Sequence, residues 1–187
     1  LAQTNLGGML MGSSCVSAIE AFSEASRLDP LYLNASVSAA VVLDLLGRRA
    51  EALASTDQVL RLEPDAPAAV LNKAKWLTGP AGAREQTETL KRLEGMVAQN
   101  RLNQRWLAFV KDLVAIERGE AVASQTALDR VLKVAGGESR FPAWEMFTLS
   151  AVVSLARQSR TADAIEALTR LDGAGSAVPF DMLVRSQ

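Results

Sequence analysis

Arg27-Leu28-Asp29-Pro30 and Arg61-Leu62-Glu63-Pro64 are one phrase written twice. The two prolines stand 34 residues apart, and twelve residues before each lies an alanine, Ala18 and Ala52. A phrase that returns at a fixed interval marks an internal repeat, and this interval leaves room for two helices and two turns. Between the phrases, Pro30 stops one helix and suits the first turn of the next. That next helix is predicted over about 31–46, with Val37, Ala40, Val41 and Leu43-Asp44-Leu45-Leu46. Gly47 follows as a residue able to take the left-handed conformation that closes a helix. Its partner helix begins at Arg48-Arg49-Ala50-Glu51-Ala52 and ends near Leu62. Upstream, Ser13 and Ser14 are capping residues for a helix to about Leu28, with Val16, Ile19, Phe22 and Ala25 at helical spacing.

These residues resemble the tetratricopeptide repeat, most clearly over residues 14–64. That family places small residues on both helices of a pair, a glycine after the first helix and a proline after the second. Ala40, Ala52, Gly47 and Pro64 take those places in the second pair, and Leu43 takes a large apolar one. Ala18, Phe22, Ala25 and Pro30 match the second helix of the preceding pair, whose first helix is about a residue short. Thr56 and Val59 depart from the pattern, standing where an aromatic residue and an alanine are usual.

The rest of the chain continues the alternation more loosely. Ala66–Thr78 is predicted as a first helix, Gly79-Pro80-Ala81-Gly82 as a long turn, and Glu85–Ala98 as the partner helix. Trp106–Glu117 and Ala121–Val134 make a fourth pair around a turn at Arg118-Gly119-Glu120. After a break at Gly136-Gly137-Glu138-Ser139, Phe141–Arg157 and Thr161–Leu171 make a fifth, and Val178–Val184 a short capping helix. Gly7 and Gly8 in the apolar residues 1–12 point to a closely packed helix, since neither a phosphate-loop motif nor a preceding strand is present. The expected fold is all-α: a single domain over residues 1–187, built as a right-handed α-α superhelix of about five such pairs. A compact helical bundle that merely contains two repeat-like pairs is the alternative. Because residue 1 is Leu, the chain is expected to be a fragment of a longer polypeptide.

Composition narrows the function. Hydrophobic residues make up 49% of the chain and aromatics only 5%, as suits helices packed closely on alanine. The net charge of −1 gives no general attraction to nucleic acid or to an anionic membrane surface, and no apolar run reaches the ~18 residues of a membrane span. There is no histidine, which removes the usual neutral-pH base and the commonest metal ligand. Cys15 is the single cysteine, so no intrachain disulfide forms; cytosol and periplasm both fit, with the cytosol preferred. Cys15 near a helix start is either an activated thiol or a buried apolar residue. No catalytic set, metal site or cofactor motif can be assembled.

The expected role is therefore a non-catalytic scaffold that binds a peptide or partner protein in a concave groove. The alternative is a regulatory or sensory C-terminal module of a larger bacterial protein such as a transcription regulator. A homo-oligomer is compatible with either. What the resemblance implies about the groove is a lining by first-helix residues: Asn34, Val37, Val41 and Asp44, then Ala68, Leu71, Lys75 and Thr78, with Asn72 beside Lys75. Lys75 and Asn72 lack the companions of the family's carboxylate clamp, so the partly apolar lining fits an amphipathic helix or an extended segment better. Trp76, Trp106 and Trp144 are either anchors for such a segment or fillers between helices. Arg48, Arg49, Lys73, Lys75, Arg84, Arg101 and Arg105 are expected on solvated faces, the alternative being groove-facing cations that hold a carboxylate or phosphate, and Asp163 and Glu166 are expected in surface salt bridges with Arg160 and Arg170.

Overall fold

The alternation of Pro, Gly and apolar turns resolves into helices throughout. The computed structural model describes residues 14–119, 125–130, 133 and 142–173, and among them there is no strand. The helices are α1 Cys15–Leu28, α2 Leu33–Leu45, α3 Arg49–Leu62, α4 Pro67–Trp76, α5 Gly79–Ala98, α6 Gln104–Arg118, α7 Pro142–Arg157 and α8 Thr161–Gly173. Residues 125–130 are helical as well, within the partner helix predicted at Ala121–Val134. The predictions for residues 1–12, Gly136–Ser139 and Val178–Val184 lie outside the described residues, as does the side chain of Trp144. Two compact units share the chain, divided inside α4 between Ala69 and Val70.

In the first unit, α1 packs on α2 and α2 on α3. Ser14 caps α1, its hydroxyl accepting from the Ser17 amide at 3.2 Å. Asp29 then closes the turn, its carboxylate accepting from the Leu31 amide at 3.2 Å. The α2–α3 turn is a Schellman motif: Gly47 has φ 78°, its N–H donates to Asp44 O at 2.9 Å, and Arg48 N–H donates to Leu43 O at 2.9 Å. Ala18, Ala40 and Ala52 are fully buried, so the repeated alanines set the close approach of helix to helix. Cys15, Phe22, Ala39 and Val42 form one apolar cluster with Ala18, and Val59, Ala66 and Ala69 form another against Leu33, Val37 and Leu60. Burying Phe22 contributes about 2–3 kcal/mol.

In the second unit, α5 packs on α6, α6 on α7 and α7 on α8. Here α5 corrects the expected boundary. Gly79 to Gly82 are its first turn rather than a separate loop, with Thr78 as N-cap and proline in the opening turn. Proline lacks only an N–H that a helix start leaves unbonded, and Gly79 takes a positive φ of 74°. The helix ends use left-handed residues at Asn100 (φ 57°), Gly119 (φ 68°) and Ser159 (φ 58°). The Asn100 and Ser159 turns repeat the bonding at Gly47: Arg101 N–H donates to Met96 O at 2.9 Å and Arg160 N–H to Leu155 O at 3.0 Å. The core is Leu93, Val110, Leu113, Ile116, Leu155 and Ala167, all at most 1% exposed.

Candidate functional site

The predicted groove residues divide between the two units. In the first, Asn34 is exposed and Val37 and Val41 are half-buried on α2, so solvent reaches all three. Val37 also packs against the Val59 cluster. Asp44, one turn beyond Val41, is 1% exposed, and its Oδ1 accepts from Arg49 Nε at 2.9 Å. That pair ties the end of α2 to the start of α3, so Asp44 has a structural employment at this turn.

In the second unit, Leu71, Asn72 and Lys75 are 5%, 2% and 1% exposed. Lys75 Nζ donates to Ser150 Oγ on α7 at 3.1 Å and lies 4.6 Å from the centroid of the Trp76 ring. The ammonium is thus held by a hydroxyl and an aromatic face inside the unit. Trp76 is fully buried, the filler rather than the anchor, while Trp106 is half-buried at the start of α6. Along α7, Ser150 and Ser154 are both buried, and Gln158 donates to Ser154 Oγ at 3.2 Å and to Ile116 O at 2.8 Å. Their spacing of four residues places a polar stripe on one face of a helix whose composition reads as apolar. The regular i, i+4 positions of these side chains were visible in the sequence, but nothing there distinguished them from ordinary helix-surface serines.

The other charges behave as surface groups. Arg48 pairs with Glu51, Lys73 with Glu85, Arg84 with Glu88 and Arg160 with Asp163. The Arg48 guanidinium bonded to Glu51 holds that carboxyl below its usual range, and Arg27 does the same for Glu24. Cys15 is 8% exposed at the start of α1, and burial pushes its thiol above the ordinary value. Its burial and its place in an apolar cluster fit the reading of Cys15 as a buried apolar residue.

A cleft opens within the second unit. It has a volume of about 380 Å³ and is lined by Thr78, Gly79, Pro80 and Ala83 at the start of α5, Gln86 one turn on, and Glu117 and Arg118 at the end of α6. Gln86 is 2% exposed and fully occupied: its Nε2 donates to Ala74 O at 3.0 Å and Leu77 O at 2.5 Å. Its Oε1 accepts from Arg118 Nε at 3.0 Å and Nη2 at 2.8 Å. The buried amide thereby finishes the end of α4 and fixes the guanidinium at the cleft. Sequence reading assigned neither residue a role, because their partnership spans 32 positions and follows no local pattern.

Among the described residues no group of acidic, cysteine or histidine side chains could hold a metal ion, and no helix is long and apolar enough to cross a membrane. Comparison with protein-family models, with curated proteins and with solved structures finds no match to this chain.

Proposed function

We propose that the chain is a non-catalytic helical-repeat module that binds a peptide segment of a partner protein. The observation that carries this reading is the repeated construction of the first unit. Two phrases 34 residues apart end α1 and α3, and the repeated alanines beneath them are fully buried. A helix pair made this way has an apolar face that it cannot bury alone, and stacking further pairs beside it covers that face. We extend that logic to a tetratricopeptide-like superhelix, with α2 as a first helix and its outer positions facing the partner. Asn34, Val37 and Val41 are the solvent-reached part of that face, mixing one amide with two branched apolar side chains. This chemistry suits an amphipathic helix or an extended strand more than a strongly charged ligand. The absence of histidine from the chain supports a non-catalytic role.

The test is selection from a displayed peptide library against the whole chain, followed by the double variant Asn34→Arg, Val41→Arg. A selected peptide should bind the parent chain and lose about tenfold or more on the variant, while the helical circular dichroism stays unchanged. Selection of no peptide, or equal binding by the variant, removes α2 as the binding face.

A further inference from the structure

We propose that the cleft between the start of α5 and the end of α6 is a small-molecule site for a monocarboxylate, with Arg118 as the group that binds it. The inference goes beyond the peptide-binding reading and concerns different residues. It rests on how Arg118 is held. An exposed arginine at a helix end ordinarily keeps its rotamer freedom or pairs with a nearby acid. Arg118 does neither: two of its N–H groups are fixed on Gln86 Oε1, at 3.0 and 2.8 Å, and among the described residues no carboxylate pairs with it. Gln86 is itself locked by two backbone carbonyls and is 2% exposed, so the guanidinium sits on a rigid, buried support. A guanidinium has five donors in a planar fork, and the edge not turned to Gln86 is left to meet a planar two-oxygen acceptor.

The lining decides which oxyanion fits. Pro80, Ala83 and Gly79 give the cleft a short apolar wall, and its volume of about 380 Å³ falls at the lower end of small-ligand sites. Glu117 lies in the same wall. Arg118 supplies one positive charge and one planar fork, so a singly charged planar carboxylate with a short apolar body is favoured over a tetrahedral phosphate dianion. Gln86 is a positioning residue: it orients Arg118 and has no capacity left for the ligand.

The experiment is titration of the isotopically labelled 187-residue chain with sodium butyrate, and in parallel with inorganic phosphate at matched ionic strength, followed by amide and arginine side-chain NMR. Butyrate should shift the Arg118 Nε and Ala83 amide signals in a saturable way. Arg118→Met should weaken that binding about tenfold or more. Arg118→Lys, which keeps the charge and loses the fork, should weaken it to a similar degree, whereas a nonspecific charge effect leaves Arg118→Lys like the parent. Saturation by phosphate as strong as by butyrate, indifference of butyrate binding to both variants, or no saturable shift overturns the proposal. Arg118 is solvent-exposed, so both variants are expected to fold, which their unchanged amide spectra away from the cleft would verify.

Discussion

The two units are both helical, yet they are joined internally by different means. In the first, contacts follow chain order: α1 meets α2 and α2 meets α3, and two side-chain bonds between neighbouring helices span short stretches of chain. Ser26 bonds Ser36 ten positions away, and Ser55 bonds the Ser36 carbonyl nineteen away. Alanine-lined apolar packing does the rest. In the second, polar side chains bond across long stretches of chain. Lys75 reaches Ser150 across 75 positions, Gln158 reaches Ile116 across 42, and Arg118 reaches Gln86 across 32. A strict repeat array limits each unit's contacts to its neighbours, so the separation between Lys75 and Ser150, more than two periods, is a departure from that rule. The lesson is that periodic sequence governs structure where contacts are local, and loses its hold where single polar side chains set the packing.

The largest expected effect tests that contrast directly. Lys75→Ala removes a buried four-carbon stem and its bond to Ser150, so it should cost about 2–4 kcal/mol in urea denaturation. Lys75→Met keeps the stem and removes the charge, and should cost far less, since buried charges yield little net stability against an apolar isostere. Hydrogen exchange should locate the loss from Lys75→Ala in α4 and α7. A cost below about 0.5 kcal/mol for the alanine variant would put this bond on the level of a surface contact and erase the difference between the units.

The first unit should answer to volume instead. Ala40→Leu or Ala52→Leu forces methylenes into contacts where the alanine is fully buried, at a cost of about 1–3 kcal/mol. Full tolerance of leucine at both positions would mean that the repeated alanines do not set the helix spacing.

These two tests mirror what was legible beforehand. The helix boundaries of α1 to α3 were readable because each is punctuated locally: Ser14, Pro30, Gly47 and Pro64 act within a turn of their own backbone. The start of α5 was misread because Gly79-Pro80-Ala81-Gly82 has turn composition, although proline and glycine are also tolerated in a helix's opening turn. Of the candidate face, Asn34, Val37 and Val41 were placed on one helix by register alone, and solvent reaches all three. The burial of Lys75 was not legible, because its ammonium meets a residue of α7 far along the chain. Gln86 and Arg118 escaped for the same reason.

Helix ends give a smaller and finer comparison. Gly119 and Ser159 both stand in the left-handed region, at φ 68° and 58°. A side chain at Gly119 is strained by its backbone and would meet Gln158 Oε1 at 3.2 Å, so Gly119→Ala should cost about 1–2 kcal/mol. Ser159→Gly relieves the same backbone strain and should add up to about 1 kcal/mol. The Gly47 turn of the first unit predicts the sign of both, because its bonding is the same as at Ser159. Thermal melting of the two variants checks this, and a stabilising Gly119→Ala would contradict the assigned backbone.

The smallest effect concerns Cys15, buried in the first unit. Burial raises its thiol above the ordinary value of 9.0. The folded chain therefore holds the proton at a pH where the unfolded chain has released it. With fewer protons on the unfolded state, stability falls as pH increases. Below the ordinary thiol value both states are protonated and Cys15 contributes no slope; the loss begins as pH passes 9.0. Comparing urea midpoints of the parent and Cys15→Ala across this range isolates the thiol from every other ionisable group, which the two proteins share. The difference between the two proteins should stay constant up to that point and shrink above it, as only the parent's unfolded state is stabilised by releasing a thiol proton. Alkylation by iodoacetamide at neutral pH should be correspondingly slow in the folded chain and rapid in urea. Fast alkylation of the folded protein would show the thiol accessible and ionised, and would detach Cys15 from the cluster with Ala18 and Phe22 on which the packing of α1 against α2 depends.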